Sequence, residues 1–154
     1  METNELYNQE DIKTMRTAEQ SRMPGKNRVE ELKNYALKAG IKKIGIANCV
    51  CMQKETNQLK EVLEKDFEVF SVDCKVGKVK SSDLLQDDSK GVSCNPAGQA
   101  QYLKDNETEL NIVAGLCVGH DIVFNQKSHA PVTHLLIKDR EFKHNPYQFF
   151  SENK

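Results

Sequence analysis

The stretch LNIVAGLCVGHD, residues 110–121, decides the fold. Its first nine positions are almost continuously apolar, and only Asn111 and Gly115 interrupt them. A half-exposed strand alternates apolar and polar residues, whereas a strand covered on both faces reads as an unbroken apolar run. Residues 110–118 are therefore expected to form a central strand of a parallel sheet. Gly115 and Gly119 then bracket Cys117, which permits tight turns and close approach of a ligand. His120 and Asp121 open a short helix that reaches about residue 125.

On either side lie shorter segments of the same kind. IKKIGIANC (41–49) is β-branched and short, FEVFSVDCK (67–75) alternates, and VTHLLIKD (132–139) supplies a fourth strand. Helical patterns separate them. Residues 52–65 turn Leu59, Val62 and Leu63 inward. Asn95-Pro96 opens a helix that runs to about Asp105, with Asn as N-cap and Pro at the first helical position. Upstream, a polar helix capped by Asn8 or Asp11 carries a weakly apolar face of Ile12, Met15, Arg16 and Glu19, and Pro24-Gly25 ends it. A second helix from Asn27 to Lys38 places Val29, Leu32, Tyr35, Ala36 and Ala39 on one stripe, and Gly40 stops it. The last helical turn is expected at 146–150.

Strands alternating with helices indicate an α/β fold. The expected architecture is a Rossmann-like three-layer sandwich with a mainly parallel sheet of about four strands and right-handed crossovers. The 154 residues suit a single domain, with residues 1–26 as a helical lead-in. Residues 76–93 are rich in Lys, Ser, Asp and Gly and read as a long surface loop or lid with one turn at Leu84-Leu85. Loops of that length are often functional.

Charged residues make up 29% of the chain and hydrophobic residues 38%, with a net charge of −1, a soluble globular balance that offers no basic surface for nucleic acid. No apolar run approaches the roughly 20 residues that cross a bilayer, and the polar, acidic N-terminus is unlike a signal peptide. A cytosolic location is the expectation, without a membrane or nucleic-acid partner. Disulfides are rare in that compartment, so the five cysteines are read as metal ligands or reactive thiols rather than as staples.

Cys49, Cys74 and Cys117 fall at the ends of the first three expected strands, and Cys94 immediately precedes a helix N-cap. In a parallel sheet those strand ends and helix starts share one edge, where open α/β folds bind ligands, here expected to be small molecules. Four separated cysteines would thus converge. Thiolates suit zinc or an iron–sulfur cluster, and widely spaced single cysteines without C-x-x-C knuckles favour a [4Fe–4S] cluster somewhat over zinc. His120 is a further candidate ligand or proton donor. His144 joins the list because His144-Asn145-Pro146 echoes Cys94-Asn95-Pro96. Cys51 is expected to pack, and His129 and His134 are expected to be structural. A metal-free enzyme with Cys117 as nucleophile, activated by His120, rests on the same residues. No dinucleotide fingerprint, P-loop or nucleophile elbow is present.

Several pieces together carry a resemblance: IGIANC (44–49), VDCKVG (72–77), CNPAGQA (94–100), LNIVAGLCVGHD (110–121), APVTHLLIKDR (130–140) and HNP (144–146). The sequence resembles an uncharacterised family of bacterial and archaeal predicted metal-binding proteins that carry a domain of unknown function. The resemblance implies that Cys49, Cys74, Cys94 and Cys117 are characteristic positions, with His120, Asp121 and His144 beside them. Typical members begin with a short cysteine-rich segment. This sequence opens with METNELYNQED, so metal held by such a segment is not expected here. The resemblance names no reaction.

Overall fold

The computed structural model describes residues 5–152. It divides into two compact units, one up to Lys42 and one from Lys43 onward.

The first unit is a pair of helices in contact, α1 (Gln9–Ser21) and α2 (Arg28–Ala39). Both start with an asparagine capping box. The Asn8 side chain accepts from the amides of Glu10 and Asp11 while the Asp11 carboxylate accepts from the Asn8 amide, and Asn27 and Glu30 repeat the arrangement. Each box satisfies amides that the first turn leaves orphaned. Gly40 closes α2 in the left-handed region, at φ 74°. Leu32 and Ala36 of the expected stripe are buried.

The second unit contains a four-stranded, wholly parallel sheet in the order β2-β1-β3-β4. The strands are β1 (Lys43–Asn48), β2 (Glu68–Asp73), β3 (Leu110–Ala114) and β4 (Val132–Leu136). α3 (Gln53–Leu63) joins β1 to β2, α5 (Pro96–Asp105) joins β2 to β3, and α6 (His120–Lys127) joins β3 to β4. The first crossover steps one way along the sheet and the other two step back. Right-handed crossovers therefore place α3 on one face and α5 with α6 on the other, and α5 and α6 pack together. This is the expected Rossmann-like three-layer α/β fold. The direction of winding reverses between β1 and β3, at the centre of the sheet.

All five residues of β3 are buried, as a central strand requires. Ile44, Ile46 and Ala47 of β1 and Ile112 and Val113 of β3 supply the middle of the core. Each large aliphatic side chain buried there contributes roughly 1.5–3 kcal/mol. Two details differ from the sequence reading. β3 stops at Ala114 because Gly115 turns the chain at φ 74°, so Cys117 stands in a loop beyond the strand rather than at its end. On α3, Leu59 and Leu63 are buried but Val62 is exposed, and Thr56 takes the inward place one turn earlier.

Residues 75–93 form a tied excursion. It holds a short helix, α4 (Ser81–Leu85), at the expected turn, and Lys80 bridges antiparallel to Val92. The Ser93 amide donates to the Val79 carbonyl (2.9 Å), and Lys75 Nζ donates to the Val92 carbonyl (2.6 Å). A final short helix, α7 (Gln148–Glu152), follows a run of turns. No helix among the described residues is long and apolar enough to cross a membrane.

Candidate functional site

The five cysteines lie in proximity at the carboxyl edge of the sheet. Cys49 directly follows β1 and Cys74 directly follows β2, and both are buried. Parallel pairing aligns Asn48 with Asp73, which puts these two cysteines side by side one residue further on.

Cys94 arrives from the other side. Gln99 of α5 is fully buried, and its Nε2 donates to the Asn48 carbonyl (3.1 Å) and to the Val72 carbonyl (2.9 Å). One side chain thus pins α5 to the last turns of β1 and β2. The Asn95 side chain accepts from the Gly98 amide and caps α5, and the Asn95 amide donates to the Cys74 carbonyl at 2.8 Å. Cys94 is thereby laid against Cys74, and the two sulfurs are 3.6 Å apart.

Cys51 does not pack, against expectation; it is exposed in the short 3-10 turn (Val50–Met52) that links β1 to α3. Lys138 lies beside it. The Lys138 ammonium hydrogen-bonds the Cys51 thiol and holds it below the ordinary cysteine range, and Cys49 acts in the same direction. Lys138 Nζ also donates to Cys49 Sγ at 3.6 Å. Partial burial opposes charge on Lys138, but the hydrogen bond to Cys51 and the attraction of both sulfurs leave its own pKa raised. Burial pushes the Cys49 thiol upward, and the hydrogen bond with Cys51 and the neighbouring Cys74 add to this. Burial likewise raises Cys74, reinforced by Cys94. Two kinds of thiol result. Cys51 is exposed and inclined to ionise, while Cys49 and Cys74 are buried and inclined to stay protonated.

Cys117 has a different partner. The Arg140 guanidinium donates to its sulfur at 3.3 Å. Lys138 and Arg140 both follow β4, and the register of β3 against β4 shifts between Val113 and Ala114. Such irregularities re-aim the residues beyond them and are common beside functional sites. Asp139, between the two cations, turns away and accepts from the Glu141 and Phe142 amides.

The remaining candidates have local hydrogen bonds. His120 is the half-buried first residue of α6, and its amide donates to the Cys117 carbonyl. Asp121 Oδ1 accepts from the Gly119 amide at the start of that helix. His144 lies in the turn after Arg140, where its Nδ1 accepts from the Asp139 amide (3.2 Å). His129 Nε2 donates to the Thr108 carbonyl, and the His134 ring meets the Asn125 amide.

The sequence reading missed Lys138, Arg140 and Gln99. A signal for the first two was present in IKDR, where two cations two residues apart beyond a strand face the same side of an extended chain. Gln99 carried no such mark, because a polar residue on the inner face of a helix is legible only once the strand ends it reaches are placed.

The Cys74 and Cys94 sulfurs are in contact at 3.6 Å. Among the described residues, no group of three or more His, Cys, Asp or Glu side chains is disposed to hold a metal ion. The donor set suits a soft ion chemically.

A scan against family models matches residues 1–135 to a family described as protein of unknown function, DUF1847. An uncharacterised protein of the archaeon Methanocaldococcus jannaschii, MJ0455, is 42% identical over 124 residues, which are 78% of this chain and 64% of the relative. The chain thus spans less than two thirds of that relative's length. No solved structure matches. With most of its length matched, the chain belongs to the DUF1847 family.

Proposed function

We propose that the chain performs thiol chemistry at the carboxyl edge of its sheet, with Cys51 as the thiolate that meets a soft electrophile. The observation that supports this is the exposed Cys51 beside the Lys138 ammonium, with the buried Cys49 thiol behind it on the same cation. An ammonium beside a thiol favours the ionised form, which is the nucleophile. The substrate class is a disulfide or persulfide sulfur. The Cys51 thiolate attacks one sulfur, a mixed disulfide forms, and the other sulfur leaves as a thiolate. Cys49 then passes its proton to the thiolate released first and attacks the Cys51 sulfur, which forms a Cys49–Cys51 disulfide and releases the bound half as a second thiolate. Cys117, paired with Arg140, is left outside this step.

One observation favours a second reading, a thiolate metal site that includes Cys49, Cys74, Cys94 and Cys117. Two thiolates on one tetrahedral ion with metal–sulfur distances near 2.3 Å stand about 3.8 Å apart. Cys74 and Cys94 are 3.6 Å apart. That spacing suits two ligands of a single ion such as zinc. A [4Fe–4S] cluster carries each cysteine on a different iron and needs a wider spread. The described residues supply no third ligand in place.

Anaerobic purification with metal, sulfide and thiol analysis separates the two. The thiol reading expects no stoichiometric metal and rapid alkylation of Cys51 at neutral pH. Substituting Lys138→Met should slow that alkylation and move its pH midpoint upward. One zinc, or iron with acid-labile sulfide, per chain would replace the thiol reading with the metal one. A Lys138→Met profile that superimposes on the wild type would remove Cys51 as the nucleophile.

A further inference from the structure

We infer that Cys74 and Cys94 are a redox-active pair that closes reversibly to an intrachain disulfide in exchange with a low-molecular-weight disulfide. Three observations support it, and none depends on the reactivity of Cys51. The sulfurs are 3.6 Å apart, so side-chain rotation brings them toward the about 2.05 Å of a bond. The backbones already lie together, because the Asn95 amide donates to the Cys74 carbonyl at 2.8 Å. The intervening excursion is closed at its neck by the Ser93–Val79 and Lys75–Val92 hydrogen bonds and by the Lys80–Val92 bridge. Oxidation therefore needs no rearrangement of the loop.

The two thiols differ in access in the way that stepwise exchange requires. Cys94 is partly exposed, whereas Cys74 is 2% exposed. The small disulfide meets Cys94 first. The Cys94 thiolate attacks one of its sulfurs, the sulfur–sulfur bond breaks, and one thiolate leaves. Cys74 gives its proton to that thiolate and attacks the Cys94 sulfur, releasing the second half as a thiolate that takes up the proton Cys94 lost on ionising. Two electrons pass from the cysteine pair to the small disulfide, which departs as two thiols.

The test uses the full chain, purified anaerobically and equilibrated with mixtures of reduced and oxidised glutathione. After blocking free thiols and cleaving with trypsin, Cys74 and Cys94 lie on separate peptides, 66–75 and 91–104, each with one cysteine. The expected result is a species two hydrogens lighter in which these peptides are linked. It should revert on reduction and persist in the Cys51→Ser variant, while Cys94→Ser abolishes it without loss of the folded signal. Glutathione adducts without the internal link, linkage of Cys74 to Cys49 in place of Cys94, or protection of both cysteines by stoichiometric metal would overturn the inference. Slow alkylation of Cys51 would count against the proposed nucleophile alone and leave this pair standing.

Discussion

The two ends of the sheet bury polar groups in opposite ways. Toward the amino ends of the strands, Asn111 of β3 is fully buried, yet both ends of its amide are partnered. Oδ1 accepts from the Thr108 hydroxyl (2.7 Å), and Nδ2 donates to Ser128 Oγ (2.8 Å), which itself donates to the Ala130 carbonyl. At the carboxyl ends, Asn48 and Gln99 are equally buried, but Asn48 Oδ1 and Gln99 Oε1 have no partner. Above them stand thiols, which are weak donors and acceptors. A closed polar network specifies packing, because each member costs free energy if its partner is lost. An open one retains acceptors that a ligand or a changed protonation state can use. The difference separates an amino end whose buried polar groups are closed on one another from a carboxyl end that keeps buried acceptors open.

The closed network at the amino end is most vulnerable at Gly45. A Cβ added there would collide with Asn111 Oδ1 and the Leu103 side chain. Gly45→Ala must displace the closed network as well as the core, so a loss of about 3 kcal/mol or more is expected in chemical denaturation. A near-neutral result would mean that the network tolerates displacement and is not the specifying element. Asn111→Leu comes next. It leaves the Thr108 hydroxyl only the Leu103 carbonyl and removes the amide that donates to Ser128 Oγ, at a cost of about 2 kcal/mol for the two lost hydrogen bonds. Gln99→Met should cost less, about 1 kcal/mol. It gives up hydrogen bonds to two carbonyls but also removes an orphaned buried oxygen, and the two effects offset. Equal losses at the two positions would erase the distinction between the ends.

The sequence made the architecture legible to the extent that a feature was written in local pattern. The apolar run at 110–114, the cap at Asn95 and the stop at Gly40 each act through neighbours a few residues away, and the structure contains all of them; of the two caps considered for α1 it uses Asn8, and Asn27, read only as the start of α2, proves to be its cap. The convergence of Cys49, Cys74 and Cys94 was legible because a parallel sheet fixes where strand ends go. What could not be read was pairwise geometry at that edge. Lys138 lies 89 residues from the Cys49 sulfur it meets, and the register shift that re-aims its segment leaves no periodic trace. The N-terminal limit of β3 was clear from hydrophobicity. Its C-terminal limit depended on Gly115 adopting a positive φ, and that single dihedral moved Cys117 off the strand.

The smallest expected effect is also the one that separates the two kinds of thiol. Burial raises the folded-state pKa of Cys49 and Cys74, so their contribution to stability is fully present below the unfolded thiol range, about 8.5. It is lost as pH rises through that range and beyond, because the unfolded state then releases protons that the native state retains. Lys138, also raised, acts with the same sign at higher pH. Cys51 runs the other way. Its folded-state pKa is held down by Lys138, so it adds stability as pH rises through the folded value toward the unfolded one, and loses it as pH falls. Denaturation midpoints measured across pH 6.5 to roughly 10 should therefore fall on the alkaline side. The double variant Cys49→Ser/Cys74→Ser should flatten that fall, since serine does not titrate there, and Cys51→Ser should steepen it. If all three proteins share one alkaline profile, the buried and exposed thiols do not differ in ionisation. The contrast at the carboxyl edge would then reduce to access alone.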